Sequence, residues 1–160
     1  MNIDNIDKKI LETLQEDGRI KNSELAKIIN ISPPPTAERV KKLEKNGYIK
    51  KYVALVAPAK VGITCFTYVE VTLVRHGKDA VECFMKSIVE IEEVLECHHI
   101  TGDADFLLKI ATRDIPTYEQ FIIQTLTALP DVQHLKTLVV LSTLKQETKI
   151  PIRGIPYDKS

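Results

Sequence analysis

Ser32-Pro33-Pro34-Pro35-Thr36-Ala37-Glu38-Arg39-Val40-Lys41-Lys42-Leu43-Glu44-Lys45-Asn46-Gly47-Tyr48-Ile49 is the stretch from which the rest of the chain can be read. Serine accepts hydrogen bonds from the orphan N–H groups that open a helix. Proline is tolerated where a helix has no N–H to donate inward, and Gly47 suits the left-handed residue past a helix end. The stretch therefore predicts one capped helix. On a helical wheel Ala37, Val40 and Leu43 fall on one side, and Pro35, Glu38, Lys42 and Lys45 on the other, flanked by Arg39 and Lys41. One side is built for burial and the other carries cations. An ordinary solvated face is the plain alternative, since charge runs are commonly no more than that.

What precedes this helix favours the first reading. Asp4 can cap a helix in which Ile6, Ile10, Leu11 and Leu14 recur at helical spacing, ending near Asp17-Gly18. A second, shorter helix starts at Asn22 or Ser23, buries Leu25, Ala26, Ile28 and Ile29, and stops at Asn30. Only a few residues around Asn30-Ile31-Ser32 separate it from the basic helix. Two helices joined by so short a turn, the second with a basic outer face, make the helix-turn-helix pattern, whose second helix enters the major groove. The β-prone run Ile49 to Val56 then suits a wing or hinge strand. Pro58 and Gly62 place a boundary between Leu55 and Ile63. Residues 1–54 are thus read as a winged helix-turn-helix DNA-binding domain and 55–62 as a hinge.

Beyond the hinge the periodicity changes. Thr64 to Val74 is β-branched and aromatic, and Lys78 to Val89 returns to helical spacing. Val94 to Ile100 and Asp105 to Thr112 are strands about a polar turn, Asp114 caps a helix ended by Pro130, and Val132 to Leu144 is a last strand. The order β-α-β-β-α-β is that of a ferredoxin-like domain, so the fold class is α+β. Apolar residues occupy both faces of the first strand (Val69, Val71 and Leu73 against Phe66, Tyr68 and Val74), so a second copy is expected to cover the face the helices leave open. Residues 63–144 are read as this effector-binding and dimerisation domain, and 145–160, with Pro151, Gly154 and Pro156, as an extended C-terminal tail.

The 160 residues carry no formal net charge, but residues 1–60 hold twelve Lys+Arg against eight Asp+Glu, while the rest hold ten against fourteen. Between Arg39 and Lys51 six cations meet one carboxylate, Glu44, a density that attracts phosphate. The candidate DNA contacts are Ser32, Pro34, Pro35, Thr36, Arg39, Lys42 and Lys45, with Lys50 and Lys51 on the backbone. Arg39 is the expected base reader, because a guanidinium can bond guanine O6 and N7 together. Glu38 stands four residues before Lys42, the order that favours an intrahelical ion pair, and this role is preferred to acceptance from cytosine N4.

Three cysteines, Cys65, Cys83 and Cys97, show no CxxC spacing, which favours a reduced cytoplasmic chain. No signal-like or membrane-length apolar run appears, so no membrane partner is expected. Cys83, Cys97, His98 and His99 invite a metal reading, but adjacent strand histidines point to opposite faces, so no metal or other cofactor is expected. No nucleophile–base pair or phosphate-cradling loop suggests catalysis. In the turn from Thr101 to Asp105, backbone N–H groups around Gly102 can hold a carboxylate. Asp103 or Asp105 can take an ammonium, a combination suited to a zwitterionic amino acid, although Gly-Asp turns also arise for conformational reasons alone. Thr137 on the last strand is a weaker addition.

The chain resembles the leucine-responsive regulatory protein/AsnC (feast/famine) family of transcription regulators. The resemblance rests on Asp7-Lys8-Lys9-Ile10-Leu11, Leu25-Ala26, Ser32-Pro33 through Arg39-Val40-Lys41-Lys42-Leu43-Glu44, Gly47-Tyr48-Ile49, Thr101-Gly102-Asp103-Ala104-Asp105-Phe106-Leu107-Leu108 and Thr148-Lys149-Ile150-Pro151. It implies a winged helix-turn-helix, a hinge strand, and an effector domain that dimerises through its sheets, with dimers assembling to tetramers or octamers. It strengthens an amino-acid site at Thr101, Gly102, Asp103, Ala104 and Asp105. Two positions depart from the family pattern. Glu38 stands where a basic or polar residue is common, and Ala104 where an aromatic one is frequent. The reading is a regulator that binds double-stranded DNA as a homodimer and responds to an amino acid. The alternative is an amino-acid-binding module acting on partner enzymes, which has no need of a basic helix after a short turn.

Overall fold

Helix α1 (Asn5–Glu16) is opened by a reciprocal cap. The Asp4 carboxylate accepts from the Asp7 amide at 2.8 Å, and the Asp7 carboxylate accepts from the Asp4 amide at 3.1 Å. This computed structural model describes residues 3–74 and 77–152. Helix α2 (Asn22–Ile29) ends with Asn30 at φ 60°, where the Ile31 amide reaches back to the Ala26 carbonyl at 3.1 Å. Asn tolerates that left-handed conformation, and the turn it makes aims the chain straight into helix α3 (Pro33–Lys45). Gly47, at φ 75°, ends α3 in the same way, with the Tyr48 amide on the Leu43 carbonyl at 3.0 Å. The three helices close over Ile10, Leu25, Ile29 and Leu43, with Val40 and Ile49 packed against them.

The run after Ile49, expected as a wing or hinge strand, forms no strand among the described residues. A strand needs a ladder partner, and the described residues supply none there; Val53, Leu55 and Val56 are exposed. The chain divides into two units, one ending at Leu55 and resuming from Lys145, the other running from Val56 to Leu144. The returning segment is anchored on α1. The Gln15 carboxamide donates to the Ile150 carbonyl at 3.1 Å and accepts from the Ile150 amide at 2.6 Å, Lys149 pairs with Glu16, and Ile152 is buried. The expected extended arm is therefore tied down as far as Ile152; its residues 153–160 lie outside those described.

The second unit is an antiparallel sheet of β1 (Cys65–Leu73), β2 (Val94–His99), β3 (Phe106–Thr112) and β4 (Val132–Val139) in the order β2-β3-β1-β4, with α4 (Lys78–Ile88) and α5 (Ile115–Phe121) in the connections. This is the ferredoxin-like arrangement. Alternate residues of β1 and β3 are buried, and Val69, Val71, Leu73, Phe106, Leu108 and Ile110 form one core with Phe84 and Ile88 of α4 and Tyr118 and Phe121 of α5. The single helix expected after Asp114 is α5 followed by a π-helical turn, Ile122–Leu126, whose last residue is fully buried in the core. The last strand is shorter than the sequence suggests. After the Val140 amide bonds the Phe66 carbonyl at 3.0 Å the chain leaves the sheet, and Leu141 and Leu144 are exposed.

Candidate nucleic-acid interface and effector turn

The inner side of α3 is defined by Thr36 and Leu43, both fully buried. Opposite them lie Pro34, Glu38, Lys41 and Lys45, all exposed, with Pro35 and Lys42 beside them. This centre differs from the one drawn from sequence, and two expected DNA contacts belong to the inner side. The Thr36 hydroxyl donates to the Ser32 carbonyl at 2.9 Å and is shut off from solvent. The Arg39 guanidinium donates from one nitrogen to Asp7 at 2.7 Å and to Asp4 at 2.8 Å. Asp7 is buried, and a carboxylate there needs a cation. The hydrogen bonds that Arg39 donates to Asp7 and then to Asp4 outweigh desolvation and raise the Arg39 pKa above its ordinary value. Burial tends to raise the Asp4 carboxyl, but the Asp7 amide and Arg39 together hold it below the usual range. The expected base reader thus fastens α3 to the cap of α1.

Ser32 is exposed, and its side chain makes no capping bond. The physical reason lies in its three successors. Pro33, Pro34 and Pro35 carry no N–H, so the usual orphan donors are missing, and the Thr36 amide is satisfied by the Ser32 carbonyl at 3.3 Å. The first turn of α3 consequently offers phosphate no backbone donors. The Glu38–Lys42 ion pair preferred from sequence is not among the ion pairs of the described residues, and Glu38 stands exposed. Such an exposed pair gains little over hydration. Glu44 instead accepts from the Tyr52 hydroxyl at 3.0 Å; desolvation, aided by that bond, pushes the phenol up to about 12. Lys50 and Lys51 are exposed.

Sequence reasoning missed the contribution of α2. The Asn22 carboxamide donates to the Pro33 carbonyl at 2.8 Å, bringing the first turns of α2 and α3 together. Ser23, Lys27, Asn30, Ser32 and Pro33 line a shallow cleft of about 490 Å³ along that edge. The signal was present in Asn22, a side chain long enough to bridge two helix starts, but its partner was not.

In the second unit Thr101, Gly102 and Asp103 are exposed, and Gly102 has φ 126°. Ala104 is buried rather than open to a ligand. Asp105 is stitched to the end of β1: its carboxylate accepts from the Leu73 amide at 2.8 Å and its amide donates to the Val71 carbonyl at 2.9 Å. Asp105 therefore positions the turn, leaving Asp103 as its open carboxylate. Thr137 does not join them within one chain. It pairs with Val69, about 13 Å along β1 from Leu73 at the usual strand rise, and its hydroxyl meets the Tyr118 hydroxyl at 2.7 Å on the helix side of the sheet.

The opposite side of the sheet carries Phe66, Tyr68, Leu107 and Leu138, together with the ion pairs Glu70–Lys136 at 3.1 Å and Glu96–Lys109 at 2.7 Å. Glu96 also meets His98 at 3.2 Å, while His99, turned the other way, stacks on Phe106 with ring centroids 5.0 Å apart. Burial pushes the Cys97 thiol up. Among the described residues no three His, Cys, Asp or Glu side chains converge to hold a metal ion, and no helix is long and apolar enough to cross a membrane.

Comparison with known proteins gives concordant matches. Residues 3–50 match a winged helix-turn-helix DNA-binding model, and residues 67–150 match the Lrp/AsnC ligand binding domain. Leucine-responsive regulatory proteins of Escherichia coli K12 and Klebsiella pneumoniae are 40% identical over 151 residues, covering 94% of this chain and 92% of theirs. A Neisseria meningitidis transcriptional regulator solved with L-Met superposes with a TM-score of 0.90 at 36% identity, over 94% of this chain and 97% of that one. An AsnC family transcriptional regulator from Agrobacterium tumefaciens gives a TM-score of 0.91 at 28% identity, over 96% and 100%.

Proposed function

The chain belongs to the Lrp/AsnC family of transcription regulators, and from that premise we propose how its residues divide the work. It is a sequence-specific DNA-binding regulator rather than an enzyme. The single observation that carries the site reading is the outward face of α3, where Pro34, Glu38, Lys41 and Lys45 stand exposed directly after a tight turn from α2. That face lies in the major groove, with Lys42 and Lys45 on phosphates. Lys50 and Lys51 hold the backbone beyond the helix, and Ser23, Lys27 and Ser32 hold it along the α2 edge. Arg39 and Thr36 hold α3 in place.

The effector is an apolar α-amino acid bound at the Thr101–Asp105 turn, its ammonium on Asp103 and its carboxylate on backbone N–H groups around Gly102. The exposure of this turn supports the reading, as do the relative solved with L-Met and the relatives named leucine-responsive. The protein acts as a homodimer joined through the Phe66–Tyr68–Leu107–Leu138 side of the sheet, and dimers assemble further to tetramers or octamers. Thr137 contributes to the effector site only through such assembly. An amino acid regulates occupancy to the extent that it prefers one assembly over another.

A footprint of the purified protein on its own upstream DNA, across a salt series with and without pooled amino acids, tests this. Protection on one helical face that weakens steeply with salt and shifts with the pool is the expected result. No protection at low salt would refute DNA binding. An unchanged amino-acid response in Asp103→Ala would remove Asp103 from the effector site.

A further inference from the structure

The outward face of α3 carries one carboxylate among its cations. Glu38 is exposed, one turn after Pro34 and one turn before Lys42, and among the described residues no ion pair joins it to the lysines around it. The other carboxylate of the helix, Glu44, is turned to Tyr52. A free carboxylate held against DNA is repelled by phosphate, and it is equally repelled by guanine O6 and N7 and by thymine O4, which are all acceptors. Only an exocyclic amino group in the groove can offset this, and among the direct contacts open to a carboxylate the cytosine N4 amino group is the fitting one.

The rest of the turn narrows the choice. The arginine best suited to guanine is bound to Asp4 and Asp7, the Thr36 hydroxyl is bound to Ser32, and Pro33, Pro34 and Pro35 supply no backbone N–H. The N-terminal part of a recognition helix is the part that reaches base edges. Here it presents proline CH2 groups, a carboxylate, and then lysines. We infer that Glu38 is a specificity-determining residue of this regulator, accepting a hydrogen bond from the N4 amino group of a cytosine in each half-site. Pro34, one turn earlier on the same face, lies against the methyl of a neighbouring thymine. This rests on the placement of α3 in the major groove proposed above. Lys41, Lys42 and Lys45 neutralise phosphates and carry little of the sequence preference.

The test is in vitro selection from a random duplex library with the full-length wild type, Glu38→Gln and Glu38→Ala. Measured affinities for the wild-type consensus and its single-base variants follow. The wild type is expected to select a cytosine in each half-site and to lose about tenfold on its replacement, the discrimination that one well-placed side-chain–base pair carries. Glu38→Ala should lose that preference at the one position while binding unrelated DNA more tightly, since a negative charge has left the interface. Glu38→Gln should shift the preference towards adenine, because a carboxamide bonds adenine N6 and N7 together. A wild-type consensus that both variants reproduce with unchanged discrimination would overturn the inference while leaving DNA binding intact. No consensus from the wild type itself would overturn the DNA-reading premise and the inference with it.

Discussion

Replacing Arg39 by methionine keeps an unbranched apolar stem and removes the charged head that reaches Asp4 and Asp7. Two charge-assisted bonds are lost, and they are not equivalent. Asp4 is 48% exposed, so its contact is screened and worth at most about 1 kcal/mol. Asp7 is 5% exposed, and a hydrogen bond to a charged group so enclosed is worth about 1.5–3 kcal/mol. Asp7 keeps one bond, from the Asp4 amide, which limits the penalty of leaving it charged. The expected loss is about 2–4 kcal/mol, localised to the first unit. Native-state hydrogen exchange of the full-length protein measures it where it falls. Protection of the α3 and α1 amides should drop by that amount, and that of the β3 amides should not. Asp7→Asn in the same background should cost less than it does in the wild type, since the partner has already gone. If Arg39→Met left α3 protection within about 0.5 kcal/mol of wild type and instead abolished discrimination at a G·C pair, Arg39 would be the base reader and the clamp would be refuted.

The same clamp gives a pH dependence. The Asp4 carboxyl titrates below its ordinary 3.8, so its contribution is complete above that value and is lost as pH falls through the lowered one; α1 and α3 protection should begin to fall in this acid window, and less so in Arg39→Met. Lys42→Ala should weaken binding to all sequences alike and flatten the logarithmic salt slope by about one unit, whereas an unchanged slope would take Lys42 off the phosphates. Gly102→Ala places a Cβ at φ 126°, where nothing crowds it but the backbone itself is strained, and should cost about 1–3 kcal/mol in chemical denaturation of the second unit. Gln15→Ala removes both bonds to Ile150 and should free that amide to exchange, with a stability loss of about 1–2 kcal/mol.

The elements of this fold were legible because each is fixed by neighbours in sequence. Asp4 and Asp7, three apart, make a cap wherever a helix starts. Asn30 and Gly47 end helices because the left-handed conformation is a local property. The alternation of Val69, Val71 and Leu73 fixes which side of β1 meets α4 and α5. The run from Ile49 to Val56 was read as a strand from equally local preferences, but a strand is a relation between two segments, and the described residues of the chain hold no second one.

The site was less legible for a reason that Arg39 makes plain. On the helix alone it sits at the edge of the basic face, and the count of six cations from Arg39 to Lys51 treats them as equals. Whether a cation is available depends on the carboxylates that reach it, and those of Arg39 lie thirty-two and thirty-five residues earlier, in the cap of another helix. Once Asp7 is buried by the packing of α1, it draws the nearest guanidinium inward, and the polarity of the face is redrawn around what remains. Glu38 moves the opposite way. Its local partner Lys42 gains nothing from pairing in water, so a charge that sequence assigns to helix stability is left exposed on the side proposed to face the bases. In a helix that reads DNA, the residues free to read are those left over after the fold has satisfied its own buried charges.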